Sequence, residues 1–134
     1  MTRRPAVSTD TMTQTTTQDI LQHTEAGVCT LTFNRVGKKN SITTAMYAAL
    51  ADALQAAAQD DGVRAVVLQG DVTVFSAGND ISDFLQQPAA TQDSPVYRFL
   101  HAIARFPKPL IAAVCGPAVG IGTTMLLHCD LVYA

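Results

Sequence analysis

Short apolar runs alternate with glycine- and proline-bearing turns along the whole chain. Val28, Leu31 and Phe33 interleave with Thr30 and Thr32 in β-favouring residues, which predicts a strand over 27–34, with ordered sequence starting near Gly27. The polar stretch Asn34-Arg35-Val36-Gly37-Lys38-Lys39-Asn40 reads as a loop. Ser41 to Thr44 then offer caps to a helix whose apolar positions Met46, Leu50, Leu54 and Ala57 fall one turn apart, with Gly62 ending it. Val63 to Leu68 is a compact, β-branched strand with the look of a buried one.

Turn residues Gly70 to Thr73 lead into Val74-Phe75-Ser76-Ala77-Gly78-Asn79-Asp80-Ile81, and a short helix is expected from about Ser82 until Pro88 breaks it. Residues 88–94 read as a mobile loop, and Ser94-Pro95 as the cap and first turn of a helix with Val96, Phe99, Leu100 and Ile103 on one face. Pro107 and Pro109 stop it, and Leu110 to Val114 reads as another buried strand. Gly116-Pro117 turns the chain into Ala118-Val119-Gly120-Ile121-Gly122, an apolar helix runs through Met125 to His128, and Leu131-Val132-Tyr133 begins a further strand. The order β, α, β, turn, α, β, α, β is that of an α/β fold with helices covering a sheet.

Residues 1–19 are rich in Thr, Gln and Ser and carry no apolar run, so composition predicts a disordered tail. The folded part is expected over 20–134, as the front part of a longer domain, because the chain stops just inside an apolar strand.

Composition narrows the function. The 134 residues are 48% hydrophobic and 15% charged, which excludes a disordered chain. Nine Lys and Arg against 11 Asp and Glu leave a net charge of −2, and the absence of a basic cluster argues against a nucleic-acid partner. No apolar run approaches the ~20 residues of a membrane span. Cys29, Cys115 and Cys129 cannot all pair and match no zinc spacing, so free, buried thiols in a reducing compartment are expected, with no metal. A cytoplasmic location follows as the default. Glu25 is the single glutamate, and it sits in the lead-in to the first predicted strand.

Two glycine-bearing helix starts carry the candidate chemistry. Gly120-Ile121-Gly122 lacks the third glycine of a dinucleotide loop, since position 125 is Met125, and lacks the Gly-Lys-Ser/Thr of a phosphate loop. It reads either as a tight turn needing small residues or as a helix start aiming free N–H groups at an anion or carbonyl oxygen. Phe75 to Ile81 carries the same ambiguity, with Asp80 as a helix cap in the plainer reading. Two such turns, each after a buried strand, supply the parts of an oxyanion hole. His128-Cys129-Asp130 are adjacent and so do not converge as a triad must. Lys38 and Lys39 read as a solvated loop, or as a pair meeting an anionic ligand.

Phe75-Ser76-Ala77-Gly78-Asn79-Asp80-Ile81, followed about thirty residues later by Phe106-Pro107-Lys108-Pro109-Leu110-Ile111-Ala112-Ala113-Val114, resembles the enoyl-CoA hydratase/isomerase (crotonase) family. Ala118 to Gly122 and Cys129 to Ala134 continue the resemblance in order, and Asn34-Arg35 with Asn40-Ser41-Ile42 is similar to the family's early motif. The resemblance implies a crotonase-like spiral of ββα repeats, of which this chain would be the N-terminal part, assembled as a homotrimer or a hexamer. It implies an acyl-CoA thioester as substrate, with no separate cofactor. By position, the backbone N–H groups of Asn79 and Ile121 would stabilise the enolate oxygen, and Ala77, Gly78, Asn79, Asp80, Ile81, Gly120 and Ile121 would line the acyl-CoA site.

The catalytic acids depart from the hydratase pattern. Hydratases of the family carry a glutamate where this chain has Thr124. Gly-Ile-Gly-Thr-Thr, with Gly-Asn-Asp before it, looks more like the Δ3,Δ2-enoyl-CoA isomerase branch, whose single carboxylate would lie beyond Ala134. An enoyl-CoA hydratase is the alternative within the family; a non-catalytic acyl-CoA-binding or assembly subunit is the alternative from another class.

Overall fold

The computed structural model describes residues 18–88 and 91–134. Five strands form one sheet in chain order: β1 (Ile20–Glu25), β2 (Val28–Phe33), β3 (Ala65–Gln69), β4 (Leu110–Ala113) and β5 (Leu131–Tyr133). β1 and β2 are antiparallel and every later pair is parallel. The architecture is therefore α/β, with crossovers carrying α1 (Thr44–Gln59), α2 (Ile81–Gln86), α3 (Pro95–Ala104) and the short α4 (Ile121–Thr124). Two 3₁₀ turns, Val36–Lys38 and Met125–His128, complete the elements.

β1 is an addition to the expected pattern. Its residues Ile-Leu-Gln-His-Thr-Glu are almost all exposed, so no alternation marks them as a strand. They pair because Ala26 and Gly27, with φ of 53° and 82°, form a two-residue turn whose twist suits a hairpin. Gly27 is thus in the turn, and ordered sequence begins earlier than expected: Asn34 N–H donates to the Asp19 carbonyl at 2.7 Å, and Asn34 Nδ2 to that of Gln18 at 3.1 Å. The rest of the expected N-terminal tail, and part of the expected 88–94 loop, lie outside the described residues. Glu25 ends β1 in open solvent beside His23.

The other elements lie where the pattern put them, with boundaries shifted by one or two residues. α1 starts at the cap Thr43, whose hydroxyl accepts the Met46 N–H at 3.2 Å, and buries Met46, Tyr47, Leu50, Ala51, Leu54 and Ala57. Its last turn is closed from outside: Lys108 Nζ donates to the carbonyls of Ala57, Asp60 and Val63, each at 2.7 Å. α3 packs on α1 through Phe99 and Ile103. Ser94 precedes α3 as expected, yet its side chain makes no capping bond. The helix expected through Met125 to His128 is α4 followed by a 3₁₀ turn.

The core lies between the sheet and these helices. Leu31, Phe33, Val66, Leu68, Phe75 and Met125 are buried in it, and the rings of Phe33 and Phe75 meet edge-on at 5.3 Å. Burying a side chain of this size is worth roughly 2 kcal/mol, so the strand faces and the buried face of α1 together carry the stability. Only one cysteine is a buried thiol: Cys29 is buried, Cys129 is half-buried, and Cys115 is exposed because the chain leaves β4 there for the Gly116 turn.

Candidate active site

The segment 76–80 is threaded between two others. On one side Ile42 N–H donates to the Gly78 carbonyl at 2.8 Å, and Asp80 N–H donates to the Ile42 carbonyl at 2.9 Å, a parallel bridge centred on Asn79. On the other side Ser76 N–H donates to the Pro117 carbonyl at 3.3 Å and the Ser76 carbonyl accepts from Val119 N–H at 2.9 Å, a bridge to Ala118. In parallel pairing, the residue between the two bonds turns its own N–H away from that partner. No acceptor among the described residues takes the Asn79 N–H.

Ile121 reaches a comparable state by another route. It is the first residue of α4, where an N–H has no partner within the helix. Gly122, Thr123 and Thr124 bond back to Val119 or Gly120, while the Ile121 N–H meets no acceptor among the described residues.

The two glycine turns lie against each other. Gly78 has φ of +93°, and a Cβ there would stand 2.9 Å from the Val119 carbonyl oxygen. Gly120 has φ of +59°, and a Cβ there would sit 3.8 Å from Gly78 Cα. Backbone meets backbone, so the residues following each glycine, Asn79 and Ile121, lie on segments in contact. Gly122 serves packing alone: a Cβ there would meet the Ser76 carbonyl oxygen at 2.7 Å.

A buried polar network holds the segment. Asn40 is 0% exposed, although it and Lys39 adopt left-handed φ of 55° and 56°. Its Oδ1 accepts the Arg35 N–H at 2.7 Å, and its Nδ2 donates to the carbonyls of Val74 at 3.3 Å and Phe75 at 3.2 Å. Ser76 Oγ donates to the Asn40 carbonyl at 2.9 Å and accepts the Gly78 N–H at 3.1 Å. Ala77 N–H donates to Lys39 at 3.0 Å. The strand-to-turn geometry is therefore pinned from the loop before α1.

Asp80 caps α2 as the sequence suggested, accepting the Asp83 N–H at 2.9 Å. It also pairs with Arg35 Nη1 at 2.9 Å, and the same nitrogen donates to Ser41 Oγ at 2.7 Å. The bond from Asp83 N–H, then that from Arg35, hold the Asp80 carboxyl below the usual carboxylate range. A carboxylate engaged in this way is a structural group and a poor proton carrier. Ile81 is 69% exposed at the start of α2. Lys38 and Lys39 are exposed in their loop.

Tyr47, on α1, is a site neighbour that the sequence reading did not single out. It is 4% exposed, and its hydroxyl donates to Asn79 Oδ1. Burial pushes its phenol well above the usual range. The available sign was an aromatic with a polar tip inside an apolar helix stripe, since a buried phenol needs a partner. Beside the pair is a cavity of about 150 Å³, lined by Ile42, Phe84, Val96 and Ser94 among others. A larger open hollow of about 590 Å³ between α1 and α3 shares no residue with either glycine turn. Among the described residues no three His, Cys, Asp or Glu side chains gather as a metal site would require.

The profile of the enoyl-CoA hydratase/isomerase family matches residues 23–134. Enoyl-CoA delta isomerase 2 of Rattus norvegicus is 43% identical over 121 residues, covering 86% of this chain and 31% of that protein. The 1,2-epoxyphenylacetyl-CoA isomerase of Escherichia coli K12 is 40% identical over 122 residues, covering 86% of this chain and 47% of the relative. Among solved structures, OdaA of Pseudomonas aeruginosa superposes with a TM-score of 0.83 at 54% identity, over 87% of this chain and 47% of that one. The chain thus spans between about a third and a half of the length of these relatives. Its motifs, its fold and these matches agree: the chain belongs to the enoyl-CoA hydratase/isomerase family.

Proposed function

We propose that this chain supplies the thioester-binding, oxyanion-stabilising part of an enoyl-CoA isomerase that shifts a Δ3 double bond to Δ2. The observation that carries the reading is the contact of the Gly78 and Gly120 turns, which brings together two segments whose Asn79 and Ile121 N–H groups meet no acceptor among the described residues. Two fixed donors on one carbonyl oxygen stabilise the charge that develops when a proton leaves the carbon α to a thioester. The donors are main chain, so the Asn and Ile side chains are free to serve other ends. Ala77 to Ile81, with Gly120, would line the acyl-CoA.

Isomerisation is favoured over hydration by what surrounds the donors. Thr124 stands on α4 where a hydratase needs a carboxylate, and Asp80 is committed to Arg35 and to the cap of α2. Hydration takes two carboxylates to add water, while the double-bond shift takes one to move a proton. In this reading that base comes from the part of the family's length this chain does not span. Self-association as a trimer or a pair of trimers belongs to the same reading and rests on the family resemblance. A cytoplasmic setting is the default that goes with this reading.

The test uses the protein at the family's full domain length, given a 3-enoyl-CoA and, separately, a 2-enoyl-CoA. Conversion of the first to the conjugated 2-enoyl thioester is the expected result. Hydration of the second with the first left unchanged replaces the reading with a hydratase. Binding of both with turnover of neither replaces it with a non-catalytic acyl-CoA carrier.

A further inference from the structure

We propose that Tyr47 is a positioning residue for Asn79: its phenol holds the Asn79 carboxamide and thereby keeps the Asn79 peptide N–H in its donor orientation. The inference rests on the assignment of that N–H to the thioester oxygen made above. The bonds from Gly78 and Asp80 to Ile42 tie the segment at both flanks, at 2.8 and 2.9 Å. The first of these holds the Gly78 carbonyl, the other end of the peptide plane that carries the Asn79 N–H, so a single bond sets that plane and tilt about it is the motion still to be restrained. Gly78 resists that motion weakly, because it has no side chain and sits at φ of +93°. The Asn79 side chain supplies a second restraint beside the Ile42 bond.

That side chain is held at one end by a stiff anchor. Tyr47 has two side-chain torsions, is 4% exposed, and packs its ring on Phe99 at 5.5 Å and a 46° tilt. Its hydroxyl donates to Asn79 Oδ1. A phenol is protonated throughout the neutral range and burial raises this one further, so the hydroxyl is available as a donor. The cavity of about 150 Å³ beside the pair matters as much as the bond. Open space there means packing does not hold the carboxamide, and without the phenol it is free to swing.

The experiment compares Tyr47→Phe, Asn79→Ala and the double variant at full domain length, with turnover of a 3-enoyl-CoA and exchange of the α-proton of a saturated acyl-CoA into heavy water. We expect each single variant to lower kcat by about 5–20-fold with KM changed less than about twofold, since the lost bond acts on the transition state. The double variant should fall no further than the larger single loss, because both changes break one link. A lowered thermal midpoint with kcat unmoved would reduce Tyr47 to a core residue and overturn the proposal. Should Tyr47→Phe fail to fold, Asn79→Ala decides alone, since it removes the acceptor from a half-buried turn. No turnover and no exchange in the unaltered protein would overturn the oxyanion assignment along with this inference. Full activity in both single variants would overturn this inference and leave that assignment standing.

Discussion

A Cβ placed on Gly78 would stand 2.9 Å from the Val119 carbonyl oxygen, so the two turns that present the candidate donors touch only because position 78 has no side chain. The obstruction is main chain, which cannot rotate out of the way as a flexible side chain could. Gly78→Ala therefore has to push the segments apart as well as carry a positive φ. We expect it to lower thioester turnover by at least about 100-fold, while backbone strain lowers stability by on the order of 1–3 kcal/mol. Denaturant unfolding alongside steady-state kinetics separates the two effects, and turnover within threefold of the parent would exclude the donor assignment.

Gly120 offers a graded comparison. A Cβ there would find Gly78 Cα at an ordinary 3.8 Å, so only its φ of +59° opposes a side chain. Gly120→Ala should cost on the order of 1–3 kcal/mol of stability through backbone strain, and less turnover than Gly78→Ala. The reverse ranking in parallel assays would mean that the second turn, not the first, limits the site.

Asn40 links the loop before α1 to Val74, Phe75 and Ser76 from a fully buried position. Asn40→Leu would leave the Arg35 N–H and the Phe75 carbonyl without their partner, the Val74 carbonyl keeping Asp71 N–H, and should destabilise by on the order of 3 kcal/mol. Chemical denaturation would detect a change of that size; a change below about 0.5 kcal/mol would show that water replaces the amide.

Asp80 makes the acid stability of the fold depend on pH in a definite direction. Its carboxyl is held below the usual range by the bond from Asp83 N–H and by Arg35, so the folded state binds its proton less readily than the unfolded chain. The stabilisation is present above the unfolded value of about 3.9 and is lost as pH falls through the lower folded value. Asp80→Asn should flatten the thermal midpoint's fall with acid over that window. An unchanged slope would assign the acid sensitivity to another carboxylate.

Lys108 is a stabilising residue away from the site. Its ammonium serves three carbonyls at 2.7 Å where α1 ends and the chain turns into β3. Lys108→Met keeps the apolar stem and removes the donors, so we expect a loss of about 1–3 kcal/mol with kcat unchanged. Equal loss of activity and stability would place this corner in contact with the chemistry.

Much of this arrangement was legible in the residues. Periodicity located α1, the parallel strands β2, β3 and β4 and the helix carrying Phe99 and Ile103, because each element buries one face and its apolar spacing records that face. The motif glycines and the cap role of Asp80 were legible for a related reason: positive φ and helix starts restrict residue choice locally. β1 escaped because a polar, exposed edge strand is specified by its partner and its turn, and has no buried face to leave a pattern. Buried thiols were expected throughout, yet Cys115 is exposed, since burial beyond a strand's end depends on what packs over it.

By itself, then, the sequence determined which segments become strands and helices, where glycine is required, and to which family the chain belongs. These are decided by backbone sterics and by burial along one element, which act over a few residues. Only the tertiary structure decided that Gly78 lies on Val119 and Gly120, that Asn40 reaches Phe75, and that Tyr47 meets Asn79. Such contacts join residues more than thirty positions apart, through hydrogen bonds that any of several polar side chains could make. Their specificity comes from the crossing of segments in space, which no local spacing encodes.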